Sequence, residues 1–338
     1  MGVDLGPLIK NRHPLSLEDL NGRVLAVDAY NSLYQFLTII RGEGGDPLMD
    51  SRGNVTSHLS GLFYRTVSIV EKGGKPLYVF DGRPPELKRK EISRRSELKK
   101  NAEEMFHAAV AKGDKEAARR YASMSTRLND RMVYDAKSLL TLMGVPWVQA
   151  PSEGEAQASY LTMKGVAWAT VSQDYDSLLF GSPKLARNLT VSGRRKLPKK
   201  DVYVNVSPEL LHLQEVLGGV GLTREKLVDL GILVGTDFNP GGFRGVGPVK
   251  ALKFIERYGR LEAVEELREE LSGIDYQKVR DVFLKPEVRD IDDPVWRGVD
   301  REGVVKFLCD EHDFSEERVG SALGRLRSKP SETLERWF

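Results

Sequence analysis

Short apolar runs that stop at an acid recur along the chain. Val24-Leu25-Ala26-Val27 ends at Asp28 and Leu77-Tyr78-Val79-Phe80 at Asp81; the run from Gly165 to Val171 gives way to Asp174 and Asp176, and Leu230 to Val234 precedes Asp237. Val24 to Asp28, Pro76 to Asp81 and Val166 to Val171 have the length and the bounding turn residues of strands buried on both faces, as in a parallel sheet. Helical patterns separate them, over Ser57 to Lys72 and Asp130 to Met143. The order β-α-β-α-β-α predicts an α/β fold with a mostly parallel central sheet flanked by helices. Such sheets bind ligands at the carboxyl ends of their strands.

From Pro84 to about Arg131 the pattern changes. Lys, Arg, Glu and Ala dominate, the propensity is helical, and large apolar residues are too sparse for a core face throughout. This predicts an inserted helical arch, entered at Pro84-Pro85 and mobile without ligand. A hairpin is expected over Leu189 to Val206, with Arg194, Arg195, Lys196, Lys199 and Lys200 at or near its tip. Helices over Thr223 to Val234 and Pro248 to Tyr258 flank a glycine-rich turn, and the remainder to Arg327 reads as amphipathic helix. The expected layout is one domain over residues 1–327, with an N-terminal part to about 100, the arch at about 84–131, an internal part at about 145–260 and a helical C-terminal part. Residues 328–338 are expected to form a tail.

With 338 residues, 40% apolar and 30% charged, the chain is long enough for a substantial core and has the balance of a folded, soluble protein. No apolar run approaches the ~20 residues needed to span a bilayer, and Met1-Gly2-Val3-Asp4 lacks the regions of a signal peptide, so a cytoplasmic protein with no membrane partner is expected. Cys309 is the only cysteine, and His13, His58, His107, His212 and His312 show no ligand spacing, which argues against thiolate zinc and most soft-metal chemistry. The net charge of +2 conceals an excess of five positive charges between Arg83 and Lys100. A basic segment beside acids suits a polyanionic substrate held across two surfaces.

Glu153 and Glu155, in Pro151-Ser152-Glu153-Gly154-Glu155-Ala156, raise the set of acids to seven. Oxygen-only clusters hold hard divalent cations, and hydrolysis of a phosphodiester by two ions needs them ~3.5–4 Å apart. Mg²⁺ keeps several of its own waters, so some of the seven would act through water or a neighbour. Asp174 and Asp176, at i and i+2, fall on one side if the segment is extended. Local roles compete: Asp81-Gly82 is a turn dipeptide, Asp28 suits a helix cap, and Ser152 with Glu155 reads as a capping box. Lys88 and Arg95, two helical turns apart, share a face on a helix. The turn Gly242-Phe243-Arg244-Gly245-Val246-Gly247-Pro248-Val249-Lys250 would let backbone approach a phosphate closely, with Pro248 at the first helical position and Lys250 following. No Gly-Lys-Ser or Gly-Lys-Thr phosphate loop occurs.

Val27-Asp28-Ala29, Val79-Phe80-Asp81-Gly82-Arg83-Pro84-Pro85, Ala150 to Ala156, Gln173-Asp174-Tyr175-Asp176 and Gly235-Thr236-Asp237 stand in the order and spacing of one family. The chain resembles the archaeal flap endonucleases, members of the XPG-like structure-specific 5′ nucleases, from Gly2 to Phe338. The resemblance implies cleavage of DNA flaps near the junction of single strand and duplex, by two Mg²⁺ ions for which Mn²⁺ can substitute, in replication and repair, with 5′–3′ exonuclease activity. It assigns the metal-site acids to Asp28, Asp81, Glu153, Glu155, Asp174, Asp176 and Asp237, and the grip on the scissile phosphate to Lys88 and Arg95. Tyr34 matches an aromatic on which a base stacks, and Gly245, Gly247 and Lys250 belong to a helix-two-turn-helix that holds duplex DNA, often with a bound K⁺. In the tail, Ser331, Leu334, Trp337 and Phe338 match a motif that binds the sliding clamp (PCNA), with Ser331 where the family carries Gln, a change that removes an amide contact. A monomer is expected.

Other readings stay open from sequence. Asp174-Tyr175-Asp176 is also the pair found in phosphatases that form an aspartyl-phosphate, but one metal and one nucleophile leave the other acids unexplained. A non-catalytic clamp adaptor would need only the tail, turn and arch, and its acids would repel DNA. Siblings within the family cut four-way junctions or bubbles.

Overall fold

The computed structural model describes residues 2–42, 46–190, 193–196 and 203–326. Its strands are β1 (His13–Pro14), β2 (Val24–Asp28), β3 (Lys75–Phe80), β4 (Trp147–Gln149), β5 (Ala169–Val171), β6 (Lys184–Arg187), β7 (Gly193–Lys196), β8 (Tyr203–Val206) and β9 (Glu209–His212). Seven form one sheet in the order β1-β9-β6-β5-β2-β3-β4, and β7 pairs with β8 as a separate hairpin. From β6 to β4 every pairing is parallel; β9 runs antiparallel to both β6 and β1. The expected α/β class and parallel centre are thus present.

The helices that position the site are α1 (Ala29–Ile39), α2 (Ser57–Glu71), α3 (Arg89–Ala111), α4 (Lys115–Met124), α5 (Asp130–Leu142), α6 (Gly154–Met163), α7 (Asp176–Leu179), α8 (Leu213–Val220), α9 (Arg224–Val234) and α10 (Pro248–Tyr258). Side chains of β2 and β3 alternate between two cores. Leu25, Val27, Tyr78 and Phe80 pack with Leu33, Phe36, Phe63 and Leu139 of α1, α2 and α5, whereas Ala26, Leu77 and Val79 face Ala158 and Leu161 of α6. Burial on both faces explains why these strands read as unbroken apolar runs, each large side chain contributing roughly 1.5–3 kcal/mol. A third cluster joins Leu227, Leu230 and Leu233 of α9 to Phe238, Phe243, Ile255 and Phe283.

The segment expected to form an arch holds a helix pair, α3 and α4, packed against each other across a turn in which Gly113 takes φ +69° and Asp114 caps α4 by accepting the Ala117 N–H at 3.0 Å. Arg41, just beyond α1, tethers its far end by donating to Thr126 Oγ1 at 2.7 Å.

Several expectations need correction. The C-terminal part is not continuously helical: after helices Arg268–Ser272 and Tyr276–Leu284, residues 286–300 have no regular structure before helices Arg301–Val305 and Glu316–Arg325. Pro286 and Pro294 interrupt the ladder there, and the segment instead straps across the sheet, with Arg289 N–H donating to Gln157, Trp296 Nε1 to the Pro76 carbonyl and Arg297 N–H to the Gly144 carbonyl. The third strand is only Ala169–Val171. The tip of the hairpin, Lys199 and Lys200 included, and the tail with Ser331, Leu334, Trp337 and Phe338 lie outside the described residues. No described helix is long and apolar enough to cross a membrane.

Candidate metal centre and nucleic-acid interface

Four adjacent parallel strands, β4, β3, β2 and β5, deliver acids at or just beyond their carboxyl ends. Asp28 closes β2 and caps α1, its Oδ1 accepting the Asn31 N–H at 2.9 Å. Asp81 follows β3 and accepts the Gly154 N–H at 2.7 Å. A Cβ on Gly154 would stand 2.7 Å from that same carboxylate oxygen, so only glycine lets the start of α6 approach it this closely. Glu153 and Glu155 flank Gly154, after β4. The anticipated capping box is absent: no side chain caps α6, and Glu155 instead accepts the N–H of Ser177 at 3.0 Å and its hydroxyl.

The segment after β5 is not extended but turns through Tyr175 into α7. Asp174 and Asp176 are nonetheless brought together, by the chain's N-terminal residues. Gly2 N–H donates to Asp174 Oδ1 at 3.2 Å and Val3 N–H to Asp176 Oδ1 at 2.6 Å, and a Cβ on Gly2 would lie 2.7 Å from Asp176 and 2.9 Å from Asp174. Asn31 Nδ2 donates to the other Asp174 oxygen at 3.0 Å. Asp237 sits on the connection from α9 to α10.

From the arch, Lys88 Nζ contacts Glu153 Oε2 and lies 3.6 Å from Asp237 Oδ2, while Arg95 pairs with Asp237 Oδ1. Lys88 ends a short 3-10 turn and Arg95 lies in α3, and both reach the same acid. Buried Glu91 aims the guanidinium: it accepts from Arg95 Nε at 2.6 Å and from Arg94 Nε and Nη2, both at 2.7 Å. Burial opposes its charge, but the two arginines outweigh that and hold its pKa at about 2. Tyr34, half-buried on α1, carries the Lys99 ammonium 4.5 Å above its ring and accepts a hydrogen bond from it at 3.2 Å.

Electrostatics join the acids into one field. Burial, then repulsion from Asp81 and Asp174, drives Asp28 well above the usual carboxylate range; burial, then Asp176, Asp174 and Asp28, does the same to Glu155. Asp176 is pushed up to about 7 by burial and by Asp174. Asp81 and Glu153 are raised by burial, with Lys88 opposing the rise in both. Burial works against the Lys88 charge, but Glu153, Asp81 and Asp237 outweigh it and raise its pKa. An all-oxygen donor set this crowded with negative charge fits hard divalent cations, which would relieve the repulsion.

Gly245, with φ +71°, and Gly247, which precedes α10, are exposed on the same connection as Asp237, as are Arg244, Lys250 and Lys253 near it. The closest crossing involves two other glycines: a Cβ on Gly242, whose φ is +55°, would meet the Val234 carbonyl at 2.4 Å and Gly235 N at 2.6 Å. Sequence reasoning missed Gly2, Val3, Asn31, Glu91 and Ser177, which orient the acids or the basic pair. The contacts of Gly2, Val3 and Ser177, and that of Asn31 with Asp174, span 22 to 173 residues and have no local signal, whereas Glu91 carried one in its i,i+3 and i,i+4 spacing to Arg94 and Arg95. The histidines, too, do not all stand apart: His13 and His212 meet Glu215 at the β1–β9 edge.

The chain matches the XPG N-terminal domain over residues 1–102 and the XPG I-region over residues 144–237. It is 54% identical to flap endonuclease 1 of Pyrococcus furiosus over 342 aligned positions, covering 100% of this chain and 99% of the relative. It is 50% identical to flap endonuclease 1 of Staphylothermus marinus, covering 100% of both. Among solved structures, flap endonuclease-1 from Methanococcus jannaschii superposes with a TM-score of 0.74 at 42% identity, over 96% of this chain and 98% of the other. The catalytic core of Rad2 in complex with DNA substrate gives 0.70 at 25% identity, over 95% and 97%. Matched along its whole length by these nucleases, with acids gathered at the strand ends, the chain belongs to the flap endonuclease family of XPG-type, metal-dependent nucleases.

Proposed function

We propose that this protein is a structure-specific 5′ flap endonuclease that hydrolyses DNA near the junction of single strand and duplex, in flap and primer removal and in repair. One observation carries the reading: neighbouring strand ends and the starts of α6 and α7 gather six carboxylates, the α9–α10 connection adds Asp237, and Lys88 and Arg95 lie against Glu153 and Asp237. Two Mg²⁺ ions, for which Mn²⁺ can substitute, would be held by Asp28, Asp81, Glu153, Glu155, Asp174, Asp176 and Asp237, and would supply activation of a water and stabilisation of the leaving oxygen. Asn31, Ser177 and the Gly2 and Val3 amides keep those carboxylates aimed. Lys88 and Arg95 would exchange a carboxylate for the scissile phosphate as it enters, supplying donors where charge develops.

Tyr34 offers a ring to the base beside that phosphate, once Lys99 moves aside. Gly245, Gly247, the first-turn amides of α10 and Lys250 would hold the duplex backbone without reading sequence, with K⁺ at the turn. The tail residues Ser331, Leu334, Trp337 and Phe338 would bind the sliding clamp, and the enzyme would act as a monomer. The test is cleavage of end-labelled flap, nicked, bubble and four-way DNAs with and without Mg²⁺. Mg²⁺-dependent incision at the flap junction is expected. Faster cutting of bubbles or four-way junctions would replace flap specificity by that of a sibling, and no cleavage of any of them would refute the enzyme.

A further inference from the structure

Away from the acid pocket, at the opposite edge of the sheet, three side chains converge that share no local motif. His13 lies on β1, the outermost strand, and pairs with Leu210 of β9; His212 is two residues further along β9 and so projects from the same face as His13's partner. Glu215 follows in the first turn of α8. One ligand atom from each lies within 4.8 Å of the other two, the only such set of three among the described residues. His13 Nε2 and Glu215 Oε2 are 2.6 Å apart, and the two imidazoles stand edge to face with centroids 5.3 Å apart. Among the described residues the His212 ring makes no hydrogen bond. His13 is exposed and the other two are half-buried, so an ion has direct access.

We propose that His13, His212 and Glu215 form a second metal site, selective for a borderline transition ion such as Zn²⁺. Two imidazoles and a carboxylate make up a three-ligand zinc set with water in the fourth position, whereas Mg²⁺ favours oxygen and would stay in the acid pocket. Donors around tetrahedral zinc stand roughly 3.3 Å apart for bonds of ~2.0–2.1 Å, so His13 and Glu215, 2.6 Å apart, would open slightly around the ion and no ligand atom starts more than 4.8 Å from the others. The site has a mechanical role. Within the sheet β1 is paired only to β9, and the chain leading into it supplies the Gly2 and Val3 amides that hold Asp174 and Asp176. An ion bridging β1 to β9 and α8 would anchor that segment.

Zinc titration of the full chain by calorimetry, in excess Mg²⁺ to occupy the acid pocket, tests the site. One Zn²⁺ per chain is expected, bound about tenfold or more weakly by His13→Ala, His212→Ala and Glu215→Gln. Each variant should melt with wild type in EDTA, and only wild type should gain melting temperature with Zn²⁺. Hydrogen exchange over residues 2–14 should slow on zinc addition to wild type alone. No binding below about 100 µM, or binding unchanged in the His13→Ala/His212→Ala double variant, would overturn the proposal.

Discussion

Replacing Lys88 by Met keeps the aliphatic stem and removes the one charge that contacts Glu153 and lies 3.6 Å from Asp237. At 3.6 Å and an effective dielectric constant near 20, a unit pair is worth about 4–5 kcal/mol. Losing one partner of a buried pair costs ~3–5 kcal/mol, because the other charge is stranded. The Lys88 side chain is still 16% exposed and the acids can take up protons, so the low end, about 3 kcal/mol, is expected at pH 7 in EDTA. For a chain of this size that lowers the melting temperature by roughly 5 °C. The sign with pH follows from the acids. Asp81 and Glu153 already have raised folded pKa values, so their mutual repulsion is present at neutral pH and relieved as pH falls through those values. The deficit of the variant should therefore shrink toward pH 5, and Mg²⁺ should narrow it at pH 7. Calorimetric melts of both proteins under the four conditions decide the matter. Equal melting temperatures in EDTA at pH 7, or a deficit indifferent to both pH and Mg²⁺, would refute the reasoning.

Asp176→Ala should lower turnover on flap DNA by about a hundredfold or more while leaving DNA affinity in EDTA intact, since removing a negative charge cannot weaken phosphate binding directly; a parallel loss of affinity would contradict this. Lys250→Ala should weaken duplex binding evenly across sequences and reduce the slope of log K against log salt by about one, measured by fluorescence anisotropy. His58 is 1% exposed with neither ring nitrogen partnered among the described residues, and burial, then His312, depresses its pKa to about 3. The folded protein keeps it neutral down to about pH 3 while the unfolded chain takes up its proton below 6.5, so stability is lost as pH falls from 6.5 toward 3, the loss reaching about 2 kcal/mol at pH 5. Denaturant titrations should show His58→Leu free of that loss, and identical pH dependence in the two proteins would count against it.

The strand ends were legible because burial on both faces leaves an unbroken apolar run and the first polar residue after it marks the mouth of the sheet. Asp28 and Asp81 could be found that way, and Asp174 stands three residues past the end of its run. The competing reading of Glu155 as part of a capping box fails because the hydroxyl and amide of Ser177 take its carboxylate, and only the tertiary fold brings α7 alongside α6. The turn from Asp174 to Asp176 was read as extended because i, i+2 spacing carries no information about ψ. His13 and His212 meet through strand pairing across 199 residues, which composition and spacing do not encode. The strap over residues 286–300 did carry a local signal, Pro286 and Pro294, that amphipathic periodicity obscured.

The helix pair α3–α4 enters between β3 and α5, outside the sheet whose strand ends carry the acids. Beyond Arg95, lengthening, trimming or reshaping it leaves every sheet pairing and the basic pair at its base untouched, so a lineage can explore new DNA shapes without risking its hydrolytic machinery. Selectivity and reactivity are then separately evolvable parts of one gene product.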